Sequence, residues 1–190
     1  MGGRRRSATR HPLTRLLSLL LLLPFLALPV KAQSHPLGVE LRAYPAGLIP
    51  AARGDWPVGP RLSFTALAGY NFTNRRNWGE HSHESGGGPG LGVGLSRSVP
   101  GARTGWLLGF RTEFWTLGIN WRDPGGRRGN TRVWVFQPTA RVGHIWGWTG
   151  SRLQLEATAS LGAEINVRTR GEAVGKGPIF LLGVGLLGLP

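Results

Sequence analysis

Glu80, His81, Ser82, His83 and Glu84 set imidazole, hydroxyl and carboxylate groups side by side. These residue types ligate zinc or copper and also build a nucleophile with its base. The spacing argues against both uses. On an extended chain, neighbouring side chains point to opposite faces, so Ser82 diverges from either histidine, and no third group is placed to orient a base. A polar, glycine-flanked segment of this kind reads as an outer loop, and such loops more often stay solvated than hold a metal. His144 has no serine two residues away. The run Gly86 to Gly94, Gly-Gly-Gly-Pro-Gly-Leu-Gly-Val-Gly, has the look of a phosphate cradle, but no helical pattern follows to supply the helix N-terminus. Glycine there lets a loop turn and gives a strand room beside bulky lumen neighbours. We therefore assign no catalytic residue, no metal ligand and no cofactor.

A second group of chemical side chains is spread along the chain: Glu40, Arg42, Arg111, Glu113, Arg141, Glu156 and Glu164. Each lies on the polar face of a segment that alternates with a period of two, the signature of a strand. The clearest segment is Arg152 to Val167. There Leu153, Leu155, Ala157, Ala159, Leu161, Ala163, Ile165 and Val167 oppose Arg152, Gln154, Glu156, Thr158, Ser160, Gly162, Glu164 and Asn166. Such a strand is longer than most soluble sheets contain. Thr131–Trp148, Gly105–Trp121 and Leu62–Thr73 repeat the pattern. Weaker strands are Gly38–Tyr44, Leu48–Trp56, Gly90–Val99 and Pro178–Leu189, giving about eight in all.

The connections alternate in length. Asn74–Pro89, Arg122–Asn130 and Arg168–Lys176 read as long polar loops at one end. Pro57–Pro60, Pro100–Arg103 and Thr149–Ser151 read as tight turns at the other. Long loops outside, short turns inside and an even strand number describe a transmembrane β-barrel. The apolar faces are rich in Leu, Phe and Trp, which eight strands could hardly enclose but lipid can accept. The charged set then fills the lumen, three arginines against four glutamates, as paired cross-links in a plugged interior. Trp106, Trp121, Trp134, Trp146 and Trp148 lie near strand ends, where an indole sits at the headgroup level.

The length of 190 residues suits one domain. Residues 1–32 read as a signal peptide, with Arg4, Arg5, Arg6, Arg10 and Arg15 before an apolar stretch and cleavage after Ala32; residues 33–190 form the barrel domain. The leader holds six cations and no acid, so subtracting six from the formal charge of +14 leaves +8 for the remainder. That charge suits anionic headgroups, and export argues against nucleic acid. Cysteine is absent, so no disulfide staples the fold.

The runs Leu41-Arg42-Ala43-Tyr44-Pro45-Ala46-Gly47, Gly69-Tyr70-Asn71-Phe72-Thr73, Gly86-Gly87-Gly88-Pro89-Gly90, Gln137-Pro138-Thr139-Ala140 and Gly162-Ala163-Glu164-Ile165-Asn166-Val167 resemble small outer-membrane β-barrel proteins of the OmpX/OmpA-like class. The resemblance implies an all-β, up-and-down barrel of about eight strands in the bacterial outer membrane. Its partners would be outer-membrane lipid and, during assembly, periplasmic chaperones and the barrel-insertion machinery. Barrels of this class usually end on an aromatic residue, a pattern from which Leu186-Leu187-Gly188-Leu189-Pro190 departs. No activity comes with the resemblance, and the reading is of a non-enzymatic protein acting through its outer loops. A lipid-modifying membrane enzyme and a soluble periplasmic carrier of a small apolar ligand are the alternatives.

Overall fold

The computed structural model describes residues 36–99, 105–148 and 150–188. The expected signal peptide, residues 1–32, lies outside them. Eight antiparallel strands follow one another around a closed barrel: β1 (Leu37–Tyr44), β2 (Gly47–Pro57), β3 (Leu62–Arg76), β4 (His83–Ser98), β5 (Gly105–Arg122), β6 (Arg128–Gly147), β7 (Leu153–Arg170) and β8 (Gly177–Gly188). Each strand pairs with its sequence neighbour, and β1 closes on β8 through pairs such as Leu37 with Gly188 and Ala43 with Leu182. Closure leaves no sheet edge, so each strand finds a hydrogen-bonding neighbour on both sides.

The strands run further than the polarity of the sequence suggests. Asn74–Pro89 is mostly strand, with only residues 77–82 connecting β3 to β4, and the other two outer connections shrink to 123–127 and 171–176. The cause lies in how the alternation changes along each strand. In β5 the outward residues Trp106, Leu108, Phe110 and Phe114 are exposed and apolar, while Arg111 and Glu113 point inward and are buried. Above Phe114 the pattern inverts. Trp115, Leu117, Ile119 and Trp121 are buried inside, and Thr116, Asn120 and Arg122 face out. β6 inverts at the same height, with Val133 and Val135 inside and Asn130 and Arg132 outside. A strand passing from an apolar surround into water must exchange the face that carries its polar residues, so the outward residues of the upper strand ends are polar and imitate a loop.

The outside of the barrel therefore carries an apolar belt. On β6 it reaches from Trp134 to Trp146, about 40 Å along a strand at roughly 3.3 Å per residue and about 30 Å along the axis at a tilt of roughly 40°. Leu41, Phe72, Leu91, Leu95, Phe110, Leu161, Phe180, Leu182 and Val184 continue it around the barrel.

The upper lumen corrects one expectation. Bulky side chains were expected to be excluded from so narrow a barrel, yet Ile49, Trp115, Leu117, Ile119, Val133, Val135, Ile179 and Leu181 pack there as a buried apolar core. The room comes from β4, whose inward positions Gly86, Gly88, Gly90, Gly92 and Gly94 carry no side chain. A Cβ on Gly90 would lie 2.2 Å from Cε3 of Trp115 and 2.3 Å from the Phe114 carbonyl oxygen. The glycine run is a strand face shaped to an indole.

Candidate functional site

Two polar assemblies lie in the lumen, one below the apolar core and one above it. The lower assembly is a ladder of charge. Arg42 Nη1 donates to Glu113 Oε1 at 2.5 Å, and Arg42 Nε lies 3.0 Å from Glu40 Oε1. Arg111 reaches the same Glu40 through Nη1 at 2.6 Å and Nη2 at 3.2 Å. Arg53 makes a fork on Glu156, at 2.7 and 2.8 Å, and also touches Glu40 at 3.2 Å. Arg141 donates to Glu156 as well, and Arg53 Nε donates to Asp55 Oδ2 at 2.9 Å. Four arginines thus interlock with Glu40, Glu113, Glu156 and Asp55, so the formal charges cancel.

Alternation explains the arrangement. Glu40 and Arg42 on β1, Arg53 and Asp55 on β2, Arg111 and Glu113 on β5, Arg141 on β6 and Glu156 on β7 all take inward positions at neighbouring heights. Shared partners make the ladder one unit, because each glutamate is held by two or more cations in a water-poor space, while Asp55 pairs with Arg53 alone. The sequence-expected residues Glu40, Arg42, Arg111, Glu113, Arg141 and Glu156 are brought together here. Arg53 and Asp55 join them unannounced, since β2 was legible only as a weak strand with no assigned face.

The upper assembly is a cap, and Glu84 is its hub. Glu84 is fully buried; its carboxylate accepts from the backbone N–H of Glu80 at 2.9 Å, of His81 at 3.2 Å and of Gly175 at 3.0 Å. Arg75 Nη1 donates to the Gly175 carbonyl at 2.8 Å, and Arg75 Nη2 to Glu164. Glu164 therefore sits in the cap, apart from the six lower members of its expected set. Val174, between these anchors, is buried, and its carbonyl accepts from Asn166 Nδ2 at 3.0 Å. The segment 171–176 is drawn down over the lumen.

His81 ties the cap across three connections. Its Nδ1 lies 2.7 Å from Asp123 Oδ1 and its Nε2 3.0 Å from the Ala173 carbonyl oxygen. Its ring stacks on Trp121 at 4.1 Å with 8° between the planes. Burial pushes the His81 pKa down, but the hydrogen bond and charge of Asp123, the Ala173 carbonyl and Glu84 outweigh it and hold the pKa above the usual 6.5. Both ring nitrogens face oxygen acceptors, which the imidazolium form satisfies as a double donor.

The cluster of Glu80, His81, Ser82, His83 and Glu84 is dispersed by this cap. Ser82 Oγ donates to the Arg122 carbonyl at 2.7 Å, His81 is engaged on both nitrogens, and Glu84 faces Arg75. Glu84 was expected in a solvated loop; it belongs to β4 because the inward alternation of Thr73 and Arg75 on β3 continues above the belt.

Trp121 also requires correction. Its place near a strand end suits an interfacial tryptophan, but the side chain turns into the lumen, where Nε1 donates to Thr131 Oγ1 at 3.2 Å. It shares the inward parity of Trp115 and Ile119, in the stretch where the lumen has become apolar. Trp106, Trp134, Trp146 and Trp148 are exposed on the outside. Trp134 stands at the upper end of the belt; Trp106 and Trp146 stand at the lower end, where both pack on His144 at 5.2 and 4.5 Å. Trp56, paired with Phe64 at 5.9 Å, extends this lower girdle.

No family model matches the chain, and no curated protein matches it significantly. Among solved structures, the chain is similar to Neisserial surface protein A at 12% identity, with a TM-score of 0.52, over 82% of this chain and 94% of that one. It is also similar to the N-terminal β-barrel domain of Pseudomonas aeruginosa OprF, at 14% identity with a TM-score of 0.47, over 82% of this chain and 97% of that one. The first likeness is one of fold: an eight-stranded, all-β, up-and-down barrel, in agreement with the expected class.

Proposed function

We propose that the chain is an integral protein of the bacterial outer membrane, a closed barrel that meets its surroundings through its outer loops and is not an enzyme. The observation that carries this reading is the exposed apolar belt, about as tall as the roughly 25 Å band of outer-membrane barrels and bounded by Trp134 above and Trp106, Trp146 and Trp148 below. A soluble carrier would turn that face inward and keep a ligand cavity; here the lumen is filled by the charge ladder, the apolar core and the cap. Such a barrel provides rigid support for Trp78, which is 73% exposed, and for Glu80, Pro124 and Arg128 around the outer mouth. Assembly would draw on periplasmic chaperones and the insertion machinery, and the belt would then contact outer-membrane lipid.

Membrane fractionation followed by gel electrophoresis with and without boiling tests the reading. The chain should fractionate with the outer membrane and migrate faster unboiled, because closed barrels resist mild detergent. Recovery in the detergent-free periplasmic extract, with no mobility shift, would overturn the proposal.

A further inference from the structure

The tall side of the barrel carries cations that pair with no carboxylate among the described residues. On the outer surface just above the belt, Arg132 of β6 stands directly opposite Arg170 of β7, and Arg122 of β5 opposite Arg128 of β6. Like charges facing one another across strands destabilise a sheet. Arg132, Arg168 and Arg170 are exposed and make no ion pair among the described residues. The nearby carboxylate of Glu172 is taken by Arg127. Together with Thr116 and Trp134 the three arginines line a groove of about 190 Å³, and the Arg168 guanidinium lies 5.5 Å from the centre of the Trp134 ring.

A backbone irregularity places two of these arginines there. Along β7 the inward positions are even-numbered up to Asn166, so regular alternation would send Arg168 and Arg170 into the lumen. Instead the register with β6 shifts between Trp134 and Val135, Val167 is inserted, and Arg168 and Arg170 come to face Trp134 and Arg132. A bulge that re-aims side chains in this way is a common device beside functional sites. Directly below the groove the surface is apolar, with Phe114 and Phe136 in contact at 4.9 Å and Ile165 and Val167 exposed.

From this geometry we infer a binding site for one phosphorylated lipid headgroup of the outer leaflet, resting on the membrane reading above. Its phosphate is held by Arg132, Arg168 and Arg170, its sugar or glycerol packs on Trp134, and its acyl chains run down over Phe114, Phe136 and Ile165. Guanidinium groups suit phosphate oxygens through paired charge-assisted hydrogen bonds. The apolar track beneath them selects a lipid over a free anion.

Native mass spectrometry of the full chain, folded in detergent micelles, tests the site with three probes: lipid A bearing its phosphates, lipid A stripped of them, and inorganic phosphate as a competitor. One phosphorylated lipid should stay bound per barrel, and the stripped lipid should bind about a hundredfold more weakly, as expected for three surface arginines. Arg132→Gln/Arg168→Gln/Arg170→Gln should remove the preference, while Arg61→Gln/Arg97→Gln at the other rim should keep it. If the triple variant fails to fold, Arg168→Gln alone should weaken retention about fivefold. Equal retention of both lipids, an unchanged preference in a folded arginine variant, or displacement by inorganic phosphate at matched concentration overturns the site. The gel-mobility shift of the wild type separates the two levels: a shifted barrel without phosphate preference defeats this site alone, and an unshifted chain defeats the membrane barrel itself.

Discussion

His81 is the residue whose chemistry responds most directly to its surroundings, because its ring, itself in 77–82, joins the other two outer connections through Asp123 and Ala173 and stacks on Trp121 of β5. Its folded pKa is raised above 6.5, so the contribution of the imidazolium is present in full below the unfolded value and fades as pH rises through the folded one. Amide exchange in 77–82 and 171–176, corrected for its intrinsic pH dependence, should accelerate across that window in the wild type and not in His81→Gln. In the ladder below, Arg111→Leu removes two hydrogen bonds from Glu40 in a buried network and should cost about 3–5 kcal/mol in urea unfolding within lipid. Arg61→Gln, on an exposed side chain, should stay within about 0.5 kcal/mol of wild type. Six of the seven expected lumen charges fall into the ladder because period-two alternation assigns a face without any knowledge of the fold. Glu84 and Arg75 escaped that logic: both sit in runs whose polarity and glycine content imitate a loop, and only their pairing partners across the lumen reveal the strand.

At the scale of the strand, the informative element is β4. Its glycines resemble a flexible linker in composition, yet they form the wall that receives Trp115. Gly90→Ala should therefore lower stability by about 1–3 kcal/mol and reduce folding yield, through overpacking against a ring and a carbonyl that cannot both retreat. Gly118→Ala, on β5 with nothing within 4 Å of the added carbon, should change stability by less than about 0.5 kcal/mol in the same unfolding measurement. The strand order was legible because each apolar face is continuous through the belt. The strand ends were less so: β3, β5 and β6 are legible to within three residues of their upper ends, whereas β4 breaks off at Gly90, where a polar, glycine-rich run imitates a loop. The bulge at Val167 was invisible for a related reason: an insertion of one residue leaves composition unchanged and shows itself only in register with β6.

For the whole molecule, the lumen is obstructed at successive heights by paired charge, by apolar side chains and by the tethered segment 171–176. Purified barrel in planar bilayers should show no unitary conductance, and steady single-channel steps would contradict a filled interior. Alternation announced a barrel, while the long outer loops expected beside it shrink to five or six residues; neither could announce that the upper half is packed like a soluble domain, because that property depends on where water begins. The inversion at Phe114 and Phe136 has a further consequence. Since outward polarity changes within a residue or two on adjoining strands, the barrel can rise or sink very little before it wets phenylalanine or submerges Asn120 and Arg132. It acts as a depth gauge cut to one hydrocarbon thickness, and a bilayer of any other thickness must deform to meet it.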